Sequence, residues 1–85
     1  MNDYNDYMLA ASYTTPAGHW HGWQHPLAEI RGWRFNKLGD LQSYCDHKIA
    51  ELVSDRTFSR GKCELVITDD YGRRVASAKH ESEAA

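Results

Sequence analysis

One helical pattern constrains the fold of this chain more than any other feature. Apolar side chains recur every three or four residues over positions 38–52, at Leu38, Leu41, Cys45, Ile49 and Leu52. This spacing predicts an amphipathic helix whose apolar stripe must be buried against another element. We expect Asn36 to be its N-cap, Asp40 to favour the first turn through the helix dipole, and the helix to end near Ser54.

Before this helix, the chain predicts a first pair of strands. Residues 4–13 are rich in aromatic and apolar side chains, as strands often are. The side chains that alternation places on one face are Tyr7, Leu9, Ala11 and Tyr13. Residues 14–18 contain Pro-Ala-Gly and predict a turn. The returning strand is limited by Pro26, because proline cannot donate a ladder hydrogen bond.

The returning strand has the most unusual composition in the chain. Residues 18–26 hold two of the three tryptophans and three of the five histidines. On a regular strand over residues 19–23, one face carries His19, His21 and Trp23, and the other face carries Trp20. We therefore expect one of these two tryptophans to pack inward and the other to face outward.

A second pair of strands is predicted after the helix. Residues 57–61 are expected to be a loop, and residues 62–69 alternate as a strand. The side chains expected to face the core are Cys63, Leu65 and Ile67. Residues 70–72 predict a hairpin turn, because glycine readily takes positive φ. Residues 73–79 return as the last strand, with Val75 as its main apolar anchor.

These elements predict an α+β fold in the order β-β-α-β-β. One amphipathic helix would cover one face of an antiparallel sheet, a common two-layer solution. Residues 31–35 are expected to be extended and to lead into the helix. The 85 residues suffice for one domain, predicted over residues 1–79, and residues 80–85 are expected to be a disordered tail.

Composition and motifs argue against several classes of protein. A net charge of −2 is unlike that of a general nucleic-acid binder. The first residues carry neither the basic nor the apolar region of a secretory signal, so a cytoplasmic protein is expected. Cys45 and Cys63 fall on core-facing positions and are expected to be buried, inert thiols. Without a nucleophile elbow or a phosphate loop, we expect no enzyme and no cofactor.

The sequence instead favours a protein-binding module. Tryptophan joins an apolar body to a polar N–H, a combination enriched at interfaces. We expect Trp33 to fill the core and Trp20 or Trp23 to be an exposed anchor. The residues predicted to contact a partner are Trp20, Trp23, His19, His21, Arg31, Arg34, Arg73, Arg74 and Tyr71. An unpaired outer strand would also pair with a second copy, so a homodimer is a further expectation.

Two other functions stay open at this point. A nucleic acid would be bound through an arginine-rich sheet face formed by Arg31, Arg34, Arg60, Arg73 and Arg74. A zinc ion would be held by His19, His21 and His25, with a fourth ligand from Cys45, His47 or Cys63.

In its small size and lack of motifs, the chain resembles the small accessory proteins of phages and mobile elements. Many of these, including the anti-CRISPR proteins, inhibit a host machine by occupying one of its surfaces. The resemblance is one of type, involves no specific motif and assigns a role to no residue. It implies an inhibitor that acts through protein–protein contact.

Overall fold

A computed structural model describes residues 4–81, except for the side chain of Thr57. The main elements are β1 (Met8–Thr14), β2 (Trp20–Pro26), α1 (Leu38–Val53), β3 (Lys62–Thr68) and β4 (Arg74–Glu81). A 3-10 turn at Leu27–Glu29 follows β2, and a short helix, α2 (Arg56–Ser59), follows α1. The predicted α+β fold, with four antiparallel strands and one long helix, is confirmed.

The four strands form one antiparallel sheet in the order β2-β1-β3-β4. The two hairpins therefore meet at the central β1–β3 pair, and β2 and β4 are the edge strands. Helix α1 packs over β3 and β4 and covers one face of the sheet. The face that α1 packs on is called the helix face below, and the opposite face is called the open face.

The core lies between α1 and the central strands. Its buried members include Leu9, Ala11, Leu41, Tyr44, Cys45, Leu65, Ile67 and Ala76. The predicted inward faces of β1 and β3 are confirmed, because alternate side chains of both strands are buried. The predicted helical stripe is confirmed except at Leu38, which begins the helix and is 59% exposed. Tyr44, which the stripe omitted, is buried instead.

The two ends of α1 lie close to their predicted positions. The N-cap is Lys37 and not Asn36. The carboxylate of Asp40 accepts hydrogen bonds from the backbone N–H groups of both residues, at 2.9 Å from Asn36 and 3.2 Å from Lys37. A carboxylate in the first turn also complements the helix dipole, as predicted. Ser54 is the C-cap, which confirms the predicted end.

Several predicted boundaries are wrong. Residues 57–61 are not all loop, because α2 occupies Arg56–Ser59. Residues 31–35 contain neither helix nor strand and lead into α1, which is compatible with the extended segment predicted there. His80 and Glu81 belong to β4, so the domain extends beyond residue 79. The other residues of the predicted tail lie outside the described part of the chain.

The β3–β4 hairpin differs from its prediction at both ends of its turn. Asp69 is buried and accepts hydrogen bonds from the N–H groups of Tyr71 and Arg73, which holds the turn closed. Gly72 adopts φ 82°, the positive value expected there. The register shifts next to the turn, so Ile67 pairs with Ala76 and Thr68 with Arg74. Ala76 is therefore the buried residue of β4, and Val75, the predicted anchor, is only half-buried.

Within residues 4–81, none of the helices combines the length and the apolar character needed to cross a bilayer.

Candidate protein-contact surface

Strand β2 carries the largest exposed aromatic surface of the sheet. All its residues from Trp20 to His25 are exposed, although they pair without interruption with β1. Trp20 is 67% exposed and Trp23 is 37% exposed. Large exposed aromatic side chains are typical of surfaces that bind partners. Their apolar area stays in contact with water in the folded chain, and binding a partner would bury it.

The indole of Trp20 lies on the open face and covers Gly22. Its six-membered ring occupies the place where a Cβ atom at position 22 would lie, so glycine is required for this arrangement. Beside the ring is a shallow depression of about 440 Å³. Its floor is formed mainly by small side chains of β1, Ala10 and Ser12, and Val66 of β3 lies beside them. The depression has room for a side chain of a binding partner.

Trp23 lies on the helix face, beside a second depression of about 330 Å³ between β2 and α1. Leu9 and Ala11 line its base, and Tyr44 and Leu52 of α1 form the opposite wall. The two β2 tryptophans therefore lie on opposite faces, as the strand alternation predicted. Neither is buried, however, so the expectation that one would pack inward is only partly met.

Trp33 differs from the β2 tryptophans. It is half-buried and packs against the core, with its ring centroid 5.4 Å from that of Tyr44 and 5.1 Å from that of His47. Trp33 therefore packs against the edge of the core, and the prediction that it fills the core is met only in part. His47 itself faces solvent and lies 3.4 Å from the carboxylate of Glu51.

The predicted partner residues do not form one surface. At one end of the sheet, Thr14 of β1 pairs with Trp20 on one side and with Lys62 on the other. Arg74 pairs with Thr68 at the other end, beside the hairpin that carries Tyr71 and Arg73. Of the other predicted residues, His19 and His21 accompany Trp20, Arg31 lines the helix-face depression and Arg34 is exposed after the 3-10 turn.

The arginines are also dispersed. The guanidinium of Arg73 binds the buried carboxylate of Asp69 at 2.9 Å and lies over the ring of Tyr71. Arg60 follows α2 at the opposite end of the sheet, where its backbone carbonyl accepts a hydrogen bond from the hydroxyl of Tyr13. A nucleic-acid interface needs a continuous basic surface, and these positions do not build one on a single sheet face.

The histidines of β2 do not converge on a metal site. Over residues 4–81, no three side chains of His, Cys, Asp or Glu are close enough together to hold an ion. His21 instead stacks against Tyr13, with ring centroids 6.5 Å apart. Cys45 and Cys63, the proposed fourth ligands, are buried free thiols in the core, as the sequence predicted. Burial raises the pKa of Cys45 to about 11, so this thiol is not activated as a nucleophile.

The two edge strands differ in whether a side chain hydrogen-bonds to their outward backbone groups, a feature that the sequence did not predict. At the β4 edge, the side-chain amide of Gln42 donates to the carbonyl of Ser77 at 2.7 Å and accepts from its N–H at 3.3 Å. The amide thus pairs with β4 as a further peptide group would. At the β2 edge no hydrogen bond of this kind is made by a described residue, and the residues from Trp20 to His25 are exposed.

Comparison with known proteins gives no relative: no family model, curated protein or solved structure matches the chain.

Proposed function

We propose that this protein is a non-enzymatic protein-binding module, and that the open face around Trp20 contacts its partner. The observation that carries the proposal is the position of the indole. It is 67% exposed and covers a glycine beside a depression floored by small side chains. An indole at the rim of such a depression offers a rigid apolar anchor and an N–H donor to a partner.

The chemistry around Trp20 favours a protein over a nucleic acid. Ala10, Ser12 and Val66 give the depression an uncharged floor, and Glu64 is the acidic side chain that lines it. Lys79 of β4 lies opposite Glu64, so the charges next to the depression are of both signs and do not form the continuous basic surface that a phosphate backbone needs. Exposed aromatic side chains are, in contrast, enriched at protein interfaces.

The proposed mode of action is occupation of a partner's surface. A domain of 85 residues acts in this way when it blocks a surface that a larger protein needs, as small inhibitors of phages and mobile elements do. We propose a cytoplasmic location, which accords with the two buried free thiols, since cytosolic conditions keep thiols reduced.

The test compares two exposed aromatic residues at opposite ends of the sheet. Partners are captured from an extract of the source organism with the immobilised wild-type chain, identified, purified and titrated against variants. Trp20→Ala is expected to weaken binding by about 30-fold or more, the loss typical of a central interface tryptophan. Tyr71→Ala is the matched control, since Tyr71 is 79% exposed at the far hairpin, and it should bind as the wild type does.

Circular dichroism must show that both variants are folded. The proposal is wrong if folded Trp20→Ala binds the purified partner as tightly as the wild type. It is also wrong if only nucleic acid is retained and the retention decreases steeply with salt, which would support the arginine alternative.

A further inference from the structure

The outer edge of β2 is an unguarded pairing surface. Two hydrogen bonds, from Thr15 N–H to the His19 carbonyl and from Leu27 N–H to the Tyr7 carbonyl, bracket the β1–β2 ladder. Because antiparallel ladders alternate, the odd-numbered residues of β2 turn their backbone groups toward β1. Trp20, Gly22 and Gln24 therefore direct their N–H and C=O groups outward, away from the sheet.

Natural sheets protect such edges with lysines, bulges, prolines or a covering side chain. From Trp20 to His25, β2 has none of these. Its register with β1 is unbroken, it contains no formally charged residue, and its proline, Pro26, is its last residue. The opposite edge, in contrast, is covered at Ser77 by Gln42. The chain thus covers β4 at Ser77 and leaves β2 open.

We infer that the edge of β2 pairs with the β2 edge of a second copy of this chain, in an antiparallel arrangement with a two-fold axis through Gly22. The two sheets then join into one, with both α1 helices on the same side. The pairing uses the outward backbone groups of β2, and the proposed partner contact uses the Trp20 indole on the open face, so either one can hold without the other.

The register follows from which groups point outward. Outward-facing residues must pair with outward-facing residues, so a seam with Gly22 opposite its own copy places Trp20 opposite Gln24 of the second copy. Glycine at the axis adds no side chain of its own, and the two Trp20 indoles, each covering its own Gly22, would lie next to each other on the open face across the seam. On the helix face, the same register sets His21 opposite Trp23 of the second copy, a pair of aromatic rings of the kind that stabilises neighbouring strands.

Charge also favours a second copy over an arbitrary extended peptide. The paired strands carry only neutral, aromatic and amide side chains besides histidine, and no like formal charges oppose each other across the seam at pH 7. Helix α1 lies over β3 and β4, so it does not obstruct the approach of another sheet at β2. A dimer formed in this way would also bring the two Trp20 depressions onto one continuous open face.

Sedimentation velocity of the full chain across a dilution series tests the pairing. We expect a dimer with a Kd of order micromolar, typical of small non-obligate interfaces. Gln24→Pro removes an outward N–H and is expected to weaken the dimer at least about tenfold. Gln24→Ala keeps that N–H and should leave the dimer intact, as should Lys79→Pro at the β4 edge.

A charge placed on the two-fold axis tests the register. Gly22→Lys and Gly22→Asp should each be monomeric, because each puts like charges directly opposite, and an equimolar mixture of the two should dimerise again. At this position a new side chain meets only the far end of the Trp20 side chain, so the fold should persist in both variants.

The opposite results are equally clear. A wild-type chain that stays monomeric throughout the series overturns the pairing, and so does a dimer that Gln24→Pro does not weaken. A mixture of the Gly22 variants that remains monomeric overturns the axis at Gly22. Partner capture that depends on Trp20 in a monomeric chain would leave the proposed function standing and reject only the dimer.

Discussion

The six-membered ring of the Trp20 indole covers Gly22, its neighbour two residues along β2. Residues two apart share a face of a strand, so both belong to the open face. A side chain at position 22 would displace the ring. The ring in turn covers the backbone of Gly22, which has no side chain to protect it from solvent. The pair therefore fixes the orientation of the indole that we propose as the partner anchor.

The loss of this contact is measurable by NMR. Trp20→Ala is expected to shift the Hα resonances of Gly22, because the ring current of the covering indole disappears. The Hα resonances of Gly72, at the far hairpin, should not move. Tyr71→Ala provides the reverse control, with changes near Gly72 and none at Gly22. Unchanged Gly22 resonances in Trp20→Ala would show that the indole does not rest on the glycine in solution.

The alternation of polar and apolar residues was sufficient to predict the core-facing sides of β1 and β3. It also placed Trp20 and Trp23 on opposite faces, because a period of two needs no knowledge of the neighbouring strands. The same pattern could not show that β2 is an edge strand. The burial of Trp23 depends on which elements cover the helix face, and α1 lies over the other half of the sheet.

Gln42 protects the β4 edge, and its removal should be costly for an exposed helix residue. Gln42→Ala is expected to lower the free energy of unfolding by about 1–2 kcal/mol, because two hydrogen bonds to Ser77 are lost. Ser43→Ala, at the next exposed position of α1, should change it by less than about 0.5 kcal/mol. Equal effects in urea denaturation would show that the amide contributes nothing to the edge.

Asp69 should make the stability of the chain depend on acid pH. Burial raises the pKa of its carboxyl, but hydrogen bonds from the N–H groups of Arg73 and Tyr71 and from the Arg73 guanidinium outweigh burial and lower it below its usual value. The folded pKa is then below the unfolded value of about 3.9. The stabilisation is present above that value and is lost as pH falls through the folded pKa.

Asp69→Asn should therefore reduce stability at neutral pH and flatten the decrease in stability toward low pH. Asp70→Asn changes an exposed neighbour in the same turn and should leave that decrease as it is in the wild type. Urea denaturation series at several pH values measure both. If Asp69→Asn retains the full acid dependence, other carboxylates are responsible for it.

The hairpin also shows which features a sequence pattern can reveal. The spacing of Asp69 and Gly72 is typical of a turn whose first residue caps its own backbone, so the role of Asp69 could have been inferred locally. The pairing of Gln42 with Ser77 could not, because 35 positions separate the two residues along the chain. The register shift beside Thr68, which buries Ala76 in place of Val75, likewise appears only when both strands are in place.

Trp33 and Trp20 should differ in their contributions to stability. Trp33→Ala is expected to lower the free energy of unfolding by about 2–3 kcal/mol, less than for a fully buried tryptophan because Trp33 is half-buried against Tyr44. Trp20→Ala should change it by less than about 1 kcal/mol, since the indole covers only Gly22 and faces solvent. Urea denaturation followed by far-ultraviolet circular dichroism measures both without relying on the fluorescence that the variants alter. If Trp20→Ala were the more destabilising change, the indole would be structural, and its exposure could no longer be taken as a sign of partner binding.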